Sequence, residues 1–438
     1  MSKNDFKFIM ASDPQYPWTG QDDETGEYLY EDDPNLYAQM QIDSMKKLLS
    51  DEGDQIKGIM FNGDIVKFNN YVVGKAKTED LDNFEKKYYN VLKQEVPVYI
   101  GLGNHDYENN VHDSFEERAA TELVSFLHDS LFKYDDRVTK SITGVHFLHI
   151  PDHDGVDNTR FFGSFSYSFE IGDIHFIQVN NYPFYEKSWD AFNSAKARHY
   201  YCSVRKSLAW LERDMAIARN NGKAIILCMH KNPAAWELDE KAISDFGNLL
   251  NEYSVSAIFV GHIHWRVGQV NDENLNGIPV FYCGGTSQGS YLLLSFAEVT
   301  EDNDKKIKMT VKSISSEDGD VTYENNWDIA LNNSSESVQV PEGEKAIVFH
   351  NKGVYSAEFT VKYKDKAGNE HSASTGRKPV SSKHTIILDR DCEVISIKGK
   401  AIAGETIFSG KTDVNCTYVV SGTTLITKYH IDKDLDWY

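Results

Sequence analysis

Apolar residues come in short bursts with two different rhythms along the chain. Phe6 to Met10 reads as a strand, and Leu36, Met40, Met45, Leu48 and Leu49 then recur at helical spacing. A strand over Gly58 to Phe61, a helix over Asp80 to Leu92 and a strand over Val98 to Ile100 follow. This alternation predicts the βαβ order of an α/β domain. Phe165 to Ile171 and His175 to Val179 predict a hairpin turning at Gly172-Asp173. Beyond it, the pattern predicts a helix over Arg205 to Arg219, a strand over Ala224 to Met229, and a helix over Glu240 to Asn251. Strands over Ala257 to Val260, Pro279 to Cys283 and Tyr291 to Val299 close the series. The order predicts a parallel core with antiparallel additions, sheet layered on sheet and flanked by helices.

The rhythm changes after Trp327. Asn332 to Glu336 is polar and Pro341 to Glu344 is a turn cluster, which marks a linker over 332–345 between a domain of 1–331 and one of 346–438. In the latter, Phe359, Val361 and Tyr363, then Ile386 and Leu388, Val394 to Ile397, and Tyr418 and Val420 form strand-sized runs without helical periodicity. They predict a small all-β sandwich.

Composition narrows the class. Of 438 residues, 40% are hydrophobic, enough for a large core and against a disordered chain, while 10 Pro and 29 Gly exclude a collagen-like fibre. The net charge is −22, yet 346–438 carries 13 Lys and Arg against 11 Asp and Glu, so the acid excess belongs to the first domain. Such a body repels polyphosphate, which argues against generic nucleic-acid binding. No apolar run approaches the ~20 residues of a spanning helix, and Lys3, Asp5 and Lys7 interrupt any leader-like stretch. Five cysteines without a CxxC pair read as reduced, buried thiols, and the expected location is cytoplasmic; Cys392 and Cys416 remain a candidate disulfide for an exported chain.

Five segments carry candidate chemistry: Ser12-Asp13-Pro14-Gln15, Asn62-Gly63-Asp64, Gly103-Asn104-His105-Asp106, Met229-His230-Lys231 and Gly261-His262-Ile263-His264. Most sit where a predicted strand ends, the edge of an open α/β sheet over which loops converge on a ligand. Any one of them is explained by a turn, a cap or a buried hydrogen bond; the ordered set is not. Oxygen ligands mixed with imidazoles suit Mn2+, Fe2+ or Zn2+ better than Ca2+.

In this ordered set, over roughly residues 8 to 300, the chain resembles the calcineurin-like metallophosphoesterase superfamily, with motifs D-x-H, G-D, G-N-H-D, H and G-H-x-H. The resemblance implies a four-layer α/β (α+β) sandwich and two divalent metal ions. It implies Asp64 as their bridge, with Asp13, Gln15 and His264 on one and Asn104, His230 and His262 on the other. It also implies that His105 faces the phosphate and that Asp106 orients it. Hydrolysis of a phosphodiester, diphosphate or phosphomonoester by a metal-bridging hydroxide follows from the same resemblance. Gln15 stands where most of the family has His. Its amide oxygen is a weaker, harder ligand, so the site should lean toward Mn2+ or Mg2+, and Asp-x-Gln is similar to the manganese-dependent ADP-ribose/CDP-alcohol diphosphatases. Lys67 stands where purple acid phosphatases carry Tyr, so a coloured tyrosinate-iron centre is not expected.

The expected substrate is a small phosphorylated molecule. Tyr16, Trp18, Tyr107, Tyr182, Phe184, Tyr185, Trp189, Trp236 and Trp265 crowd the motif loops, where they serve a nucleobase, a lipid-like group or ordinary packing. Lys231 is either a phosphate contact or a solvated surface residue. In the second domain, Gly353 to Phe359, Val361 to Tyr363 and Ser421-Gly422-Thr423-Thr424-Leu425 are similar to the C-terminal sandwich of cholesterol-dependent cytolysins. The Trp-rich loop of that family is absent, with Trp437 the lone Trp here. That likeness implies peripheral membrane or glycan contact through 346–438, beside a purely structural role. The competing function is a binding protein in which the sandwich tethers a weakly active metal-binding domain. The sequence leaves the oligomeric state open.

Overall fold

The computed structural model describes residues 2–18, 33–67, 78–150, 159–193, 198–272, 275–301, 304–316, 319–332, 338–341, 343, 345–380, 382–401, 406–411, 413–423 and 427–432. The chain divides into two compact units, Met1–Leu208 with Asp214–Gln339, and Val340–Tyr438 with Ala209–Arg213. Much of the polar run 332–336 lies outside the described residues, as do Thr424, Leu425 and Trp437.

The first unit is built on two large mixed sheets. One runs in the order Thr322–Leu331, Asp304–Ser315, Ser290–Glu301, Phe6–Ala11, Ile56–Asn62, Val98–Gly101; the last three strands are mutually parallel. The other runs Val267–Val270, Val280–Cys283, Ala257–Val260, Ala224–Met229, Ile174–Val179, Tyr167–Ile171, Ile142–Val145, with four central parallel strands. Their inner faces meet in one core: Phe8 stacks on Phe176, Tyr99 on Phe169, and the Tyr167 hydroxyl donates to the carbonyl of Ile100. These strands read as near-continuous apolar runs because both faces are covered.

Helices cover the outer faces. Pro34–Glu52 is capped by the Asp33 side chain and buries Ala38, Ile42, Met45, Leu48 and Leu49, and its Ser44 hydroxyl meets that of Tyr291 on the first sheet. Leu208–Asn220 is tied to the second sheet through Asp214, which accepts from Ser168 Oγ and pairs with His175. The helix expected over Asp80 to Leu92 runs from Glu79 to Leu92 with a π-turn at Glu85–Tyr89. The hairpin at Gly172-Asp173 forms as the pattern predicts.

Between Tyr107 and Phe165, where the pattern predicts nothing, the structure places a 19-residue helix, Ser114–Phe132. Leu148–Ile150, Thr159–Gly163, Arg198–Val204 and Lys187–Asn193 form a third, four-stranded sheet. Trp189 anchors it by donating from Nε1 to Thr121 Oγ1 on that helix.

Among its described residues the second unit contains eight strands in two four-stranded sheets. One is ordered Ser382–Leu388, Lys345–Asn351, Cys416–Gly422, Thr427–Asp432; the other Glu370–Lys378, Ala357–Lys364, Glu393–Ala401, Thr406–Lys411. Ile347, Phe349, Phe359, Val361, Ile397, Phe408, Tyr418 and Val420 fill its core. All five cysteines are buried and none forms a disulfide. Among the described residues no helix is long and apolar enough to cross a membrane.

Candidate metal centre

Every chemical segment follows a strand of the parallel cores. Asp13 and Gln15 follow Phe6–Ala11, Asp64 follows Ile56–Asn62, and Asn104 to Asp106 follow Val98–Gly101 on the first sheet. His230 follows Ala224–Met229, and His262 and His264 follow Ala257–Val260 on the second. The site therefore sits where the two sheets present their strand ends to one another.

The turns are tight. Asp13, Gln15, Asp64 and His262 all have positive φ, between 39° and 71°. Such a backbone costs a non-glycine residue of order 1 kcal/mol or more and persists where the surroundings over-determine it. Gly63 and Gly103 leave room for the ligands: a Cβ on Gly63 would come within 2.6 Å of His230 Nδ1, and one on Gly103 within 2.3 Å of Asp64 Oδ1.

Two clusters with a shared member result, Asp64, His230 and His262, and Asp13, Asp64 and His264; each could hold a metal ion. His230 Nε2 lies 3.0 Å from Asp64 Oδ2, and His264 Nε2 lies 3.3 Å from Asp13 Oδ1. The side chains are held from behind. Asp13 Oδ2 accepts from Ser12 Oγ (2.5 Å) and from the backbone N–H of His262 (3.0 Å). Asp64 Oδ1 accepts from the N–H of His105, and its Oδ2 from Gln15 Nε2. The Nδ1–H of His230 donates to the carbonyl of Asn62 at 3.0 Å, which leaves Nε2 as the nitrogen that faces the cluster.

The donor set fits divalent cations. Asp13 Oδ1, Gln15 Oε1, Asn104 Oδ1 and His230 Nε2 are all buried and make no well-formed hydrogen bond among the described residues, although His230 Nε2 and Asp13 Oδ1 lie within ion-pair distance of Asp64 and His264. Buried polar atoms are nearly always paired, and these four are the lone-pair atoms that a cation takes. Gln15 joins the group because its amide N–H is engaged by Asp64, which turns its oxygen inward.

The electrostatics follow from burial and proximity. Burial works against ionisation of Asp64, yet His230 and His105 beside it hold its carboxyl well below the usual range. Burial likewise opposes a charge on His230, and the Asp64 and Asp13 carboxylates outweigh it, raising the ring to about 9, so Nε2 would give up its proton on taking a cation. Burial and the neighbouring His230 lower His262 to about 4, so its ring is neutral at pH 7.

His105 and Asp106 take different places. The His105 ring is half-buried, with Nδ1 at 2.7 Å from the Lys67 carbonyl. Asp106 is fully buried, and its oxygens accept from the N–H groups of Gly103, Ile65 and Val66. It ties two motif loops together through their backbones. Lys231 is not a solvated residue: Nζ pairs with Glu108 at 2.6 Å, and Asn181 Nδ2 donates to the same carboxylate oxygen. Of the aromatic residues in these loops, Tyr16, Tyr107, Tyr185, Trp189 and Trp236 belong to the core. Trp18 stands edge-on to both His105 (5.4 Å) and His264 (5.7 Å), with Lys67 Nζ over its ring, and Trp265 is 72% exposed.

The sequence reading misses two supports. Asn180 Oδ1 accepts from the N–H of Leu102, and the carbonyl of Asn181 accepts from the N–H groups of His230 and Lys231, which joins the third motif loop to the fourth. The consecutive asparagines after an apolar strand are the signal that marks this junction.

The chain belongs to the calcineurin-like phosphoesterase family, whose model matches residues 6–266. It is accordingly a metal-dependent hydrolase of phosphoric esters. No curated protein sequence matches the chain. Among solved structures it is similar to the membrane-binding domain of pneumolysin, at 18% identity over 21% of this chain and 99% of that one, with a TM-score of 0.17. A non-hemolytic pneumolysin from Streptococcus pneumoniae is 13% identical over 34% of this chain and 48% of that one, TM-score 0.19. The human-specific toxin intermedilysin is 13% identical over 33% and 48%, TM-score 0.17. The chain thus spans about half the length of the whole toxins it matches.

Proposed function

We propose that this protein is a two-metal phosphohydrolase acting on small phosphodiester or diphosphate substrates, with Asp64 shared between the ions. The observation that carries the reading is the pair of clusters meeting at Asp64, lined by four buried donor atoms that make no well-formed hydrogen bond among the described residues. Asp13, Gln15 and His264 would hold one ion; Asn104, His230 and His262 the other. Bound divalent cations supply Lewis-acid stabilisation of the phosphoryl oxygens and a nucleophilic water at neutral pH. Mn2+ is the proposed ion, because Gln15 brings a neutral oxygen where an imidazole would favour softer metals.

The chain's own groups do the rest. His105, with Nδ1 held on the Lys67 carbonyl, presents its other nitrogen to donate a proton to the departing oxygen. Asp106 keeps that loop in register with the loop of Asp64. Trp18 and Trp265 supply the apolar surface that an organic leaving group requires, which favours small organic phosphates over phosphoproteins. The test is hydrolysis of an aryl phosphodiester and a monoester by the metal-stripped chain titrated with Mn2+. Saturable Mn2+-dependent turnover, higher on the diester, is the expected result. Its absence with every divalent metal would overturn the reading.

A second reading concerns the C-terminal unit and has its own observation. Asn351 is fully buried, its Nδ2 donates to the carbonyls of Tyr355, Lys378 and Pro379, and Oδ1 accepts from Gly353 N–H. The N–H of Val354 donates to Gly422, so three loops meet at one tip, where Val354 and Val380 are 68% and 46% exposed. This tip is proposed as a peripheral membrane contact, since each aliphatic side chain entering lipid contributes on the order of 1 kcal/mol. Full-length protein should sediment with phosphatidylcholine–sterol vesicles and lose that binding on Val354→Asp with Val380→Asp. Equal sedimentation of the double variant, or binding to glycans alone, would refute it.

A further inference from the structure

Asn62 ends a strand of the first sheet, immediately before Gly63-Asp64, and is completely buried. Its side-chain Nδ2 donates to two carbonyls of the second sheet, Met229 at 2.9 Å and Phe259 at 3.1 Å. Met229 precedes His230, and Phe259 lies three residues before His262. The backbone carbonyl of Asn62 also lies 3.0 Å from His230 Nδ1 and 3.0 Å from Ser12 Oγ. One residue therefore touches the strand ends that carry Asp13, His230 and His262, and directly precedes the loop that carries Asp64.

The chemistry at this point demands a primary amide. Two carbonyl oxygens converge on it from neighbouring parallel strands, and an amide N–H2 offers one hydrogen to each. A carboxylate would set like charge against both acceptors, a hydroxyl could donate to one alone, and an aliphatic side chain to neither. Within the sheets the strands hold their own register. Between the sheets, the His262 N–H also reaches Asp13 Oδ2 and the His230 ring reaches the Asn62 carbonyl, but these bonds run through the site loops; the Asn62 amide pair bonds the carbonyls of the strands themselves and so sets the distance between them.

We infer that Asn62 is a positioning residue for the Asp64–His230–His262 cluster, fixing the spacing between the two sheets at the metal centre; the inference rests on the two-metal reading above. Because the backbone carbonyl that holds the His230 ring survives substitution, the effect of losing the side chain is on ligand spacing, not on the tautomer. Outer-shell partners of metal ligands are commonly worth 10–100-fold in affinity.

The experiment is calorimetric titration of Mn2+ into the metal-stripped full chain, for wild type, Asn62→Ser and Asn62→Leu, with circular dichroism and thermal melting of each. Affinity at one of two sites is expected to fall in the order wild type, Ser, Leu, by about 10–100-fold for Leu, in protein that retains its far-UV spectrum. Should the Leu variant fail to fold, the Ser variant carries the test, since it keeps one donor and most of the volume deficit is small. Folded variants with wild-type Mn2+ affinity and merely a lower melting temperature would overturn the inference. A wild-type chain that binds no metal would instead overturn the two-metal reading, and this inference with it.

Discussion

Two buried polar sites, one in each unit, differ in one respect. In the C-terminal unit, Asn351 has its amide nitrogen on three carbonyls and its oxygen on a backbone N–H. At the strand ends of the first unit, Asp13 Oδ1, Gln15 Oε1, Asn104 Oδ1 and His230 Nε2 converge without a well-formed hydrogen bond among the described residues. Both sets are removed from water, so both carry the cost of desolvation. A satisfied buried group returns that cost as order in the fold. An unsatisfied set is stable when something outside the chain completes it, and lone pairs aimed at one another call for a cation. The difference separates scaffold from site without reference to any motif.

The largest expected effect is at the shared carboxylate. Asp64→Asn should lose cation binding and at least about 10³-fold in turnover, beyond the 10–100-fold typical of an outer-shell partner. Retained turnover in that variant would erase the distinction drawn above. Asn351→Leu should act the opposite way: three carbonyls lose their donor, the C-terminal unit loses about 2–3 kcal/mol, and Mn2+-dependent turnover stays at the wild-type level. Melting curves recorded alongside the assay would decide this, and reduced turnover without a reduced melting temperature would contradict it.

A third buried polar group adds a pH dependence. His175 is bound by Asp214 at Nε2 (2.9 Å) and by Glu170 at Nδ1 (3.3 Å); burial opposes its charge, but those two carboxylates raise it to about 9. A folded-state pKa above the unfolded value of about 6.5 gives stability that is full below pH ~6.5 and lost as pH rises through ~9, worth about 2–3 kcal/mol at most. His175→Gln should flatten the melting temperature between pH 6.5 and 9.5; an unchanged profile would show that the ring is neutral in its network. The smallest effect is expected at Gln15. Gln15→His should shift the preference away from Mn2+ by roughly tenfold against Zn2+ in competition, and an identical metal profile would remove Gln15 from the ligand set.

The core strands and the helix Pro34–Glu52 were legible because each is covered on defined faces, which imprints a period on the residues. Helix Ser114–Phe132 carries the same imprint, with Ala119, Leu123, Val124, Leu127 and Leu131 buried behind an Asp113 cap, yet no helix is predicted there from sequence. Glu370–Lys378 and Thr322–Leu331 were not legible. They are edge strands exposed along most of their length, held by backbone pairing that any polar sequence can make. Lys231 misled for a related reason. Its partner Glu108 lies 123 positions away, and nothing local in either segment announces the pair.

By itself, the sequence determined the order of strands and helices, the change of character after Trp327, and the chemical type of each residue offered at a strand end. Those are local properties, set by side-chain polarity and spacing along one segment. Only the tertiary structure decided that Asp64 belongs to both clusters, that Gln15 turns its oxygen inward, that Asp106 grips backbone, and that Asn62 clasps one sheet to the other. Each depends on groups brought together by the packing of the two sheets. Their register is set by the whole buried core, and no stretch of chain contains it.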